Sequence, residues 1–169
     1  MGVLFMATAD LQDIGVLDGY SSASISSTYA RTGTYSFRLG GVGGYIRGGF
    51  ASASEGYMKV ALSTANTDIY GAYINISDAT VSHLLITIIA DSSTITVSRG
   101  ATELSSVSLA GTSLNLGDWN VYEVHWVISD SVGVVQVKVN GVLKIDLSGQ
   151  DTQHGGTAAA TKGTVANGN

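Results

Sequence analysis

The stretch "DWNVYEVHWVISDSVGVVQVKVNGVLKIDLSG", residues 118–149, contains the clearest strand pattern in the chain. In its first part, Tyr122, Val124 and Trp126 occupy alternate positions. Successive side chains of a β-strand point to opposite faces, so these three residues share one face. The alternation predicts a strand with an apolar face that packs into a core, and it assigns Trp126 to that core.

The remainder of this stretch predicts two further strands that return on the first. Val135, Val137 and Val139 alternate along the second strand, and Asn140-Gly141 follows them. Both central residues of a type I′ turn need a positive φ, which Asn and Gly adopt readily, so this pair predicts a tight hairpin. The strand after the hairpin is predicted to direct three alternate side chains inward: Leu143, Ile145 and Leu147.

Strand patterns of the same kind recur along the chain, with turn residues between them. They lie at residues 31–50, 55–62, 68–78, 81–91 and 93–111. The glycine run "GGVGG", residues 40–44, predicts a hairpin turn. The nearly continuous apolar run of 81–91 predicts a central strand that is buried on both faces. No segment sustains helical periodicity, so the pattern predicts an all-β, antiparallel sandwich or barrel.

Composition restricts the classes of protein to which the chain can belong. Its 169 residues have the length of one domain, and they include no cysteine and no proline. Only 12% of residues are charged, the net charge is −5, and the 8 lysines and arginines are scattered, which argues against nucleic-acid binding. The longest apolar run, residues 83–90, is far shorter than the ~20 residues of a membrane-spanning helix. We therefore expect a soluble protein without a targeting segment and without nucleic-acid or membrane partners.

The acidic residues lack the pattern that catalysis would need. Hydrolysis of a glycosidic bond requires two carboxyl groups about 5–10 Å apart across that bond. The glutamates, Glu55, Glu103 and Glu123, are isolated from one another. Glu123 and His125 share a strand face, so a carboxylate–imidazole pair is possible, but we interpret it as a solvated contact. No Gly-x-Ser-x-Gly elbow opens a helix, and we predict no catalytic residues and no enzymatic activity.

Metal ligands are equally sparse in the sequence. The 3 histidines are widely separated and there is no cysteine, which argues against zinc. We interpret each histidine (His83, His125 and His154) as a surface or edge residue. Several aspartates lie at strand ends, where converging loops can bind calcium, but aspartates in turns more often bond their own backbone. We therefore predict no metal site and no cofactor, with one calcium ion as the alternative.

Two blocks of sequence resemble a known family. The first is the opening of the chain, residues 1–41, which contains "RTGTYSFRL" at residues 31–39. The second, residues 114–152, places Trp119 just before the predicted strand that contains Tyr122, Val124 and Trp126. Over residues 1–155 the chain is similar to concanavalin A-like (laminin-G-like) jelly-roll proteins encoded by tailed bacteriophages. This resemblance implies an all-β fold, an antiparallel jelly-roll β-sandwich.

The resemblance also implies a function. Relatives of this kind are mostly virion components, which implies a non-enzymatic structural or decoration protein of a bacteriophage virion. Such a capsid decoration, head fibre or tail-associated protein would dock onto the major capsid or tail protein and form a homo-oligomer. The alternative is a carbohydrate-binding adhesin on the virion surface. The paired-acid strand of the family's hydrolytic branch and the metal loop of legume lectins have no counterpart here, so neither activity carries over.

Aromatic residues near strand ends are the candidate contacts for a glycan or a protein partner. Trp119 lies at the entrance of a strand, where it either closes the end of the sandwich or stacks on a sugar ring. Tyr70 and Tyr73 lie in the predicted strand at residues 68–78, which begins with Asp68. The predicted contacts are therefore Trp119, Tyr70, Tyr73 and Asp68.

The end of the chain differs in composition from the rest. We assign residues 1–155 to the jelly-roll domain and residues 156–169, which are small and polar, to a tail. Relatives usually end in a closing strand. Here either Gly163 to Ala166 forms a shortened closing strand, or a sheet edge stays open and pairs with another chain, which would make the tail a partner-docking arm.

Overall fold

The structure is a computed structural model, which describes residues 18–28, 31, 36–40, 43–63, 71–89, 91–110, 112 and 118–168. Within these ranges the regular structure consists of strands. The same ranges contain no helix that is long and apolar enough to cross a membrane. The strands are β1 (Gly19–Ser21), β2 (Ala23–Ser26), β3 (Ser36–Leu39), β4 (Tyr45–Ala53), β5 (Glu55–Leu62), β6 (Ala72–Ser77), β7 (Ser82–Ile89), β8 (Thr94–Arg99), β9 (Thr102–Ser108), β10 (Asn120–Val127), β11 (Gly133–Val139), β12 (Val142–Gln150) and β13 (Ala160–Asn167).

The described strands form two large antiparallel sheets that pack face to face. The seven-stranded sheet has the order β1-β4-β13-β6-β7-β8-β9, and the four-stranded sheet has the order β12-β11-β10-β5. A further pair, β2-β3, completes the described strands. Contacts between the sheets include the tilted ring pair of Phe50 in β4 and Trp126 in β10, whose centroids are 6.2 Å apart. The prediction of an all-β antiparallel sandwich is confirmed.

The core lies between the two sheets, where the alternating apolar residues of both inner faces meet. In β10 the predicted inward residues Tyr122, Val124 and Trp126 are each 1% exposed, and this prediction is confirmed. The seven-stranded sheet contributes the isoleucines and leucines that are fully buried: Ile74, Ile76, Leu84, Ile86, Ile88 and Ile95. Each such side chain contributes roughly 1.5–3 kcal/mol of hydrophobic stabilisation.

The hairpin between β11 and β12 forms where the sequence predicts it. Asn140 and Gly141 both have a positive φ, 50° and 80°, as a type I′ turn requires. The prediction that Leu143 points inward is wrong, because its side chain is 43% exposed. A register shift after Val137 places Leu143 opposite the exposed Lys138, so the alternation of β12 is interrupted there. Ile145 is buried, and Leu147 packs against the core as predicted.

Two other expectations about strands need correction. The run "GGVGG" does not join a hairpin, because β3 pairs with β2 whereas β4 pairs with β1 and β13 in another sheet. β7 is a central strand, but only one of its faces is fully buried, since Leu85, Thr87 and Ile89 on the other face are half-buried. Strand pairing and burial depend on which elements lie alongside a strand, and the local sequence does not specify those.

The segment set apart as a tail contributes a strand to the larger sheet. β13 lies between β4 and β6 and pairs antiparallel with both. Small residues suit this central position, since a Cβ on Gly163 would lie 3.2 Å from the Met58 Sδ in the opposite sheet. Ala160 and Ala166 are buried as well. Chain contacts on both sides of β13 therefore hold residues 160–167 in place.

Candidate functional site

The outer face of the four-stranded sheet carries one aligned set of polar side chains. Strand register places Tyr57 of β5 beside His125 of β10, His125 beside Gln136 of β11, and Gln136 beside Asp146 of β12. We call these four residues the polar row. The adjacent residues on the inner face of the sheet, such as Met58 and Val124, belong to the core. Core packing therefore fixes the strands that carry the polar row.

Tyr57 and His125 form the aromatic end of the polar row. Their rings are stacked, with centroids 4.2 Å apart and an interplanar angle of 6°. Tyr57 is 40% exposed and lies on β5, an edge strand of the described four-stranded sheet. The Tyr57 side chain is therefore fixed by stacking on its neighbour and is also accessible to solvent.

Hydrogen bonds connect the rest of the row across the strands. His125 Nδ1 lies 3.3 Å from Gln136 Oε1, and Gln136 Nε2 donates to Asp146 Oδ1 at 2.8 Å. On the other side of the ring, His125 Nε2 lies 3.0 Å from Glu55 Oε1. The side chains are ordered before any ligand arrives, which reduces the entropy cost of binding.

The acid beside His125 is not the one that shares its strand. Glu123 instead forms an ion pair with Lys59, with Oε1 2.7 Å from Nζ. The carboxylate–imidazole pair left open by the sequence is formed, but by Glu55, from a strand distant in sequence. The side chain of His125 is 16% exposed and that of Glu55 is 54% exposed, so the imidazole side of this pair is largely covered and the carboxylate side faces solvent.

The residues predicted as contacts lie apart from the polar row or outside the described residues. Tyr73 is half-buried on β6, where it pairs with Thr87 and Ala166 in the seven-stranded sheet. Trp119 is half-buried immediately before β10. Tyr70 and Asp68 lie outside the described residues. Tyr57, Gln136 and Asp146 are not among the contacts predicted from the sequence, although the alternation of β5 indicates an outward tyrosine.

A second polar cluster lies where β6 and β7 meet the loop before β13. His83 is fully buried, which corrects its assignment as a surface or edge residue. Its Nδ1 lies 3.3 Å from the backbone N–H of His154, which donates to it, and its Nε2 lies 3.6 Å from Asp78 Oδ2. Burial lowers the pKa of His83 below its ordinary 6.5, although the Asp78 carboxylate opposes this.

Asp78 stabilises a turn in the same cluster. Its Oδ1 accepts hydrogen bonds from the backbone N–H groups of Thr80 and Val81, each at 2.6 Å. These bonds lower the pKa of Asp78 to about 2. Within the described ranges, no group of three or more His, Asp or Glu side chains is arranged to hold a metal ion. The geometry assigns this cluster to turn formation.

Comparisons with known proteins identify the fold. No family model and no curated protein matches the sequence. Among solved structures, the chain is similar to carbohydrate binding module CBM66 from Bacillus subtilis, with 14% identity, coverage of 88% of this chain and 89% of that one, and a TM-score of 0.52. It is also similar to the potassium-bound carbohydrate recognition domain of Emp46p, with 7% identity, coverage of 99% and 88%, and a TM-score of 0.54. At these identities the likeness shows the fold, and the expected concanavalin A-like jelly roll is confirmed.

Proposed function

We propose that the chain is a non-enzymatic carbohydrate-binding domain, and that the polar row is its binding surface. Tyr57 is stacked on His125 yet 40% exposed, and it lies in one row with hydrogen-bonding groups on three neighbouring strands. This geometry is the observation that carries the proposal. The similar folds of a carbohydrate binding module and a carbohydrate recognition domain support the same choice.

The polar row suits the chemistry of a sugar. A sugar ring presents an apolar C–H face, which packs on an aromatic ring, and hydroxyl groups, which need fixed donors and acceptors. Tyr57 supplies the ring, and Gln136 and Asp146 supply amide and carboxylate groups. Neighbouring strands lie about 4.8 Å apart, so the row extends roughly 14 Å from β5 to β12 and can contact more than one sugar ring.

The arrangement of acids on this face supports binding rather than hydrolysis. Each of its three carboxylates has a polar partner: Glu55 contacts His125, Glu123 contacts Lys59, and Asp146 contacts Gln136. A glycosidase instead places an acid and a base or nucleophile across a single bond. In the proposed site, the acids act as hydrogen-bond acceptors.

A glycan array followed by calorimetry on the strongest oligosaccharide tests the proposal. Tyr57→Ala should weaken binding about tenfold or more, as expected when one aromatic contact is removed. Tyr20→Ala is the matched control, because Tyr20 is 50% exposed on β1 in the other large sheet. Absence of glycan binding by the parent chain, or unchanged binding by Tyr57→Ala, would contradict the proposal. Selective loss in Trp119→Ala or Tyr73→Ala would place the site at the residues predicted from sequence.

We further propose, from the sequence resemblance, that the domain is carried on a phage virion. Val142 and Leu143 are 56% and 43% exposed at the start of β12, an edge strand of the described four-stranded sheet. Exposed apolar side chains beside a sheet edge suit contact with another protein. Mass spectrometry of purified particles tests this assignment, and its copy number would distinguish a capsid from a tail component.

A further inference from the structure

We infer that His125 carries protons on both ring nitrogens in the polar row, and that this imidazolium positions the row for its ligand. The inference deepens the proposed function and rests on it for the ligand, but the protonation state itself follows from the directions of the hydrogen bonds. His125 is a positioning residue in this account, because it orders Tyr57, Gln136 and Glu55 around itself.

Asp146 determines which atom donates and which accepts in each hydrogen bond of the polar row. An ionised carboxylate only accepts hydrogen bonds, so the Gln136 atom that lies 2.8 Å from Asp146 Oδ1 must be the amide nitrogen. A flipped amide would point its oxygen at a carboxylate oxygen. The amide oxygen of Gln136 therefore faces His125 Nδ1 at 3.3 Å. An amide oxygen also only accepts, so Nδ1 must carry a proton.

The Glu55 side imposes the same requirement on the other nitrogen. His125 Nε2 lies 3.0 Å from Glu55 Oε1, which is again an acceptor when ionised. A neutral imidazole has one N–H and one bare lone pair, so it can satisfy Gln136 or Glu55 but not both. Only the doubly protonated ring donates to both partners at once.

The charged groups around His125 are compatible with a cation at this position. From β5 it faces Glu55, Tyr57 and Lys59, and the ammonium of Lys59 is paired with Glu123 of β10. From β11 it faces Gln136, and Lys138 of the same strand lies opposite Glu123. The Asp146 carboxylate lies beyond Gln136 on β12. The stacked Tyr57 ring adds a favourable cation–π contact.

Loss of one proton should disorder the row. A neutral His125 would set its lone pair against an acceptor oxygen of either Glu55 or Gln136, and that partner would turn away. Gln136 also holds Asp146, so the disturbance reaches the far end of the row. Ligand binding should therefore weaken when a rise in pH removes that proton.

Ring NMR of the parent chain tests the protonation state without any ligand. At about pH 6, a ¹H–¹⁵N spectrum should show two slowly exchanging ring N–H protons on His125, because both are hydrogen-bonded. Detection of one such proton, or of none, would overturn the inference. Glu55→Ala should abolish the Nε2–H signal and keep the Nδ1–H signal. Glu123→Ala is the matched control and should keep both, since Glu123 contacts Lys59 instead.

The binding profile gives a second readout. Affinity for the strongest neutral oligosaccharide from the array should be about tenfold lower near pH 8.5 than near pH 6, the equivalent of one lost hydrogen bond. Glu55→Ala should lose this difference between the two pH values. Equal affinity of the parent chain at both values would overturn the positioning role of His125. Two ring protons without any glycan binding would instead refute the proposed function and leave the protonation state standing.

Discussion

His83 Nε2 lies 3.6 Å from Asp78 Oδ2, and the histidine of this pair has no exposed surface. Asp78 directly follows β6 and His83 lies near the start of β7, so the pair spans one turn of the seven-stranded sheet. A buried imidazole beside a carboxylate that has a depressed pKa links the stability of this end of the sandwich to pH.

We expect His83 to make the protein less stable below about pH 6.5. Burial lowers the pKa of His83 in the folded state, so below 6.5 the unfolded chain takes up a proton that the folded chain does not. The free energy of unfolding should therefore fall as the pH decreases from 6.5, and this contribution is fully present at higher pH. Urea unfolding at pH values between about 5 and 8 measures the slope. His83→Gln should reduce it. An unchanged slope in His83→Gln would refute the assignment.

We expect Asp78 to act in a separate and more acidic range. Its pKa is lowered to about 2 in the folded state, so its contribution to stability is present above 3.8 and is lost as the pH falls from 3.8 through about 2. Asp78→Asn should retain the bonds from Thr80 and Val81, because an amide oxygen accepts them, but should lose this acidic dependence. Asp78→Ala should lose both and lower the melting temperature. Equal melting temperatures for the two variants at neutral pH would show that the turn does not need these bonds.

We expect the hydroxyl of Thr152 to stabilise the connection between β10 and β11. The residue is fully buried, and its Oγ1 accepts from the Ser129 N–H at 3.0 Å and donates to the Val127 carbonyl at 2.7 Å. Thr152→Val keeps the shape but removes both bonds and takes the side-chain acceptor away from the Ser129 N–H, at a cost of about 1–3 kcal/mol in unfolding free energy. Thr152→Ser keeps the hydroxyl and should cost about 1 kcal/mol or less. Urea titration of both variants checks the order, which would be reversed if the methyl group mattered more.

We expect the turn between β11 and β12 to require glycine for its backbone alone. Gly141 has a φ of 80°, and a Cβ there would meet no atom within 4 Å, so the penalty of Gly141→Ala is conformational. That penalty is about 1–2 kcal/mol for an ordinary residue, and Gly141→Asn should cost less because asparagine tolerates this region. Gly40→Ala serves as the control, since its Cβ would make an ordinary 3.6 Å contact with the Ser22 carbonyl oxygen. Denaturant midpoints that rank Gly40→Ala below Gly141→Ala would contradict the expectation.

Several features of the fold were predictable because their causes are local. The inward residues of β10 follow from the period of two along a strand, and the Asn140-Gly141 turn follows from the φ values that only a few residues adopt. Leu143 was assigned to the wrong face because a register shift between β11 and β12 depends on how two strands pair. His83 was misassigned because its burial depends on the loop before β13, which donates the His154 N–H to it.

The sequence by itself determined that this chain is an antiparallel all-β protein with Trp126 in its core, since alternation and turn preferences act between near neighbours. Only the tertiary structure decided that Tyr57, His125, Gln136 and Asp146 form one row, and that Glu55 rather than Glu123 contacts the imidazole. Those four residues come from four strands, and their alignment depends on the register of three strand pairs. Hydrogen bonds between strands set that register, and the order of residues within one strand does not reveal it.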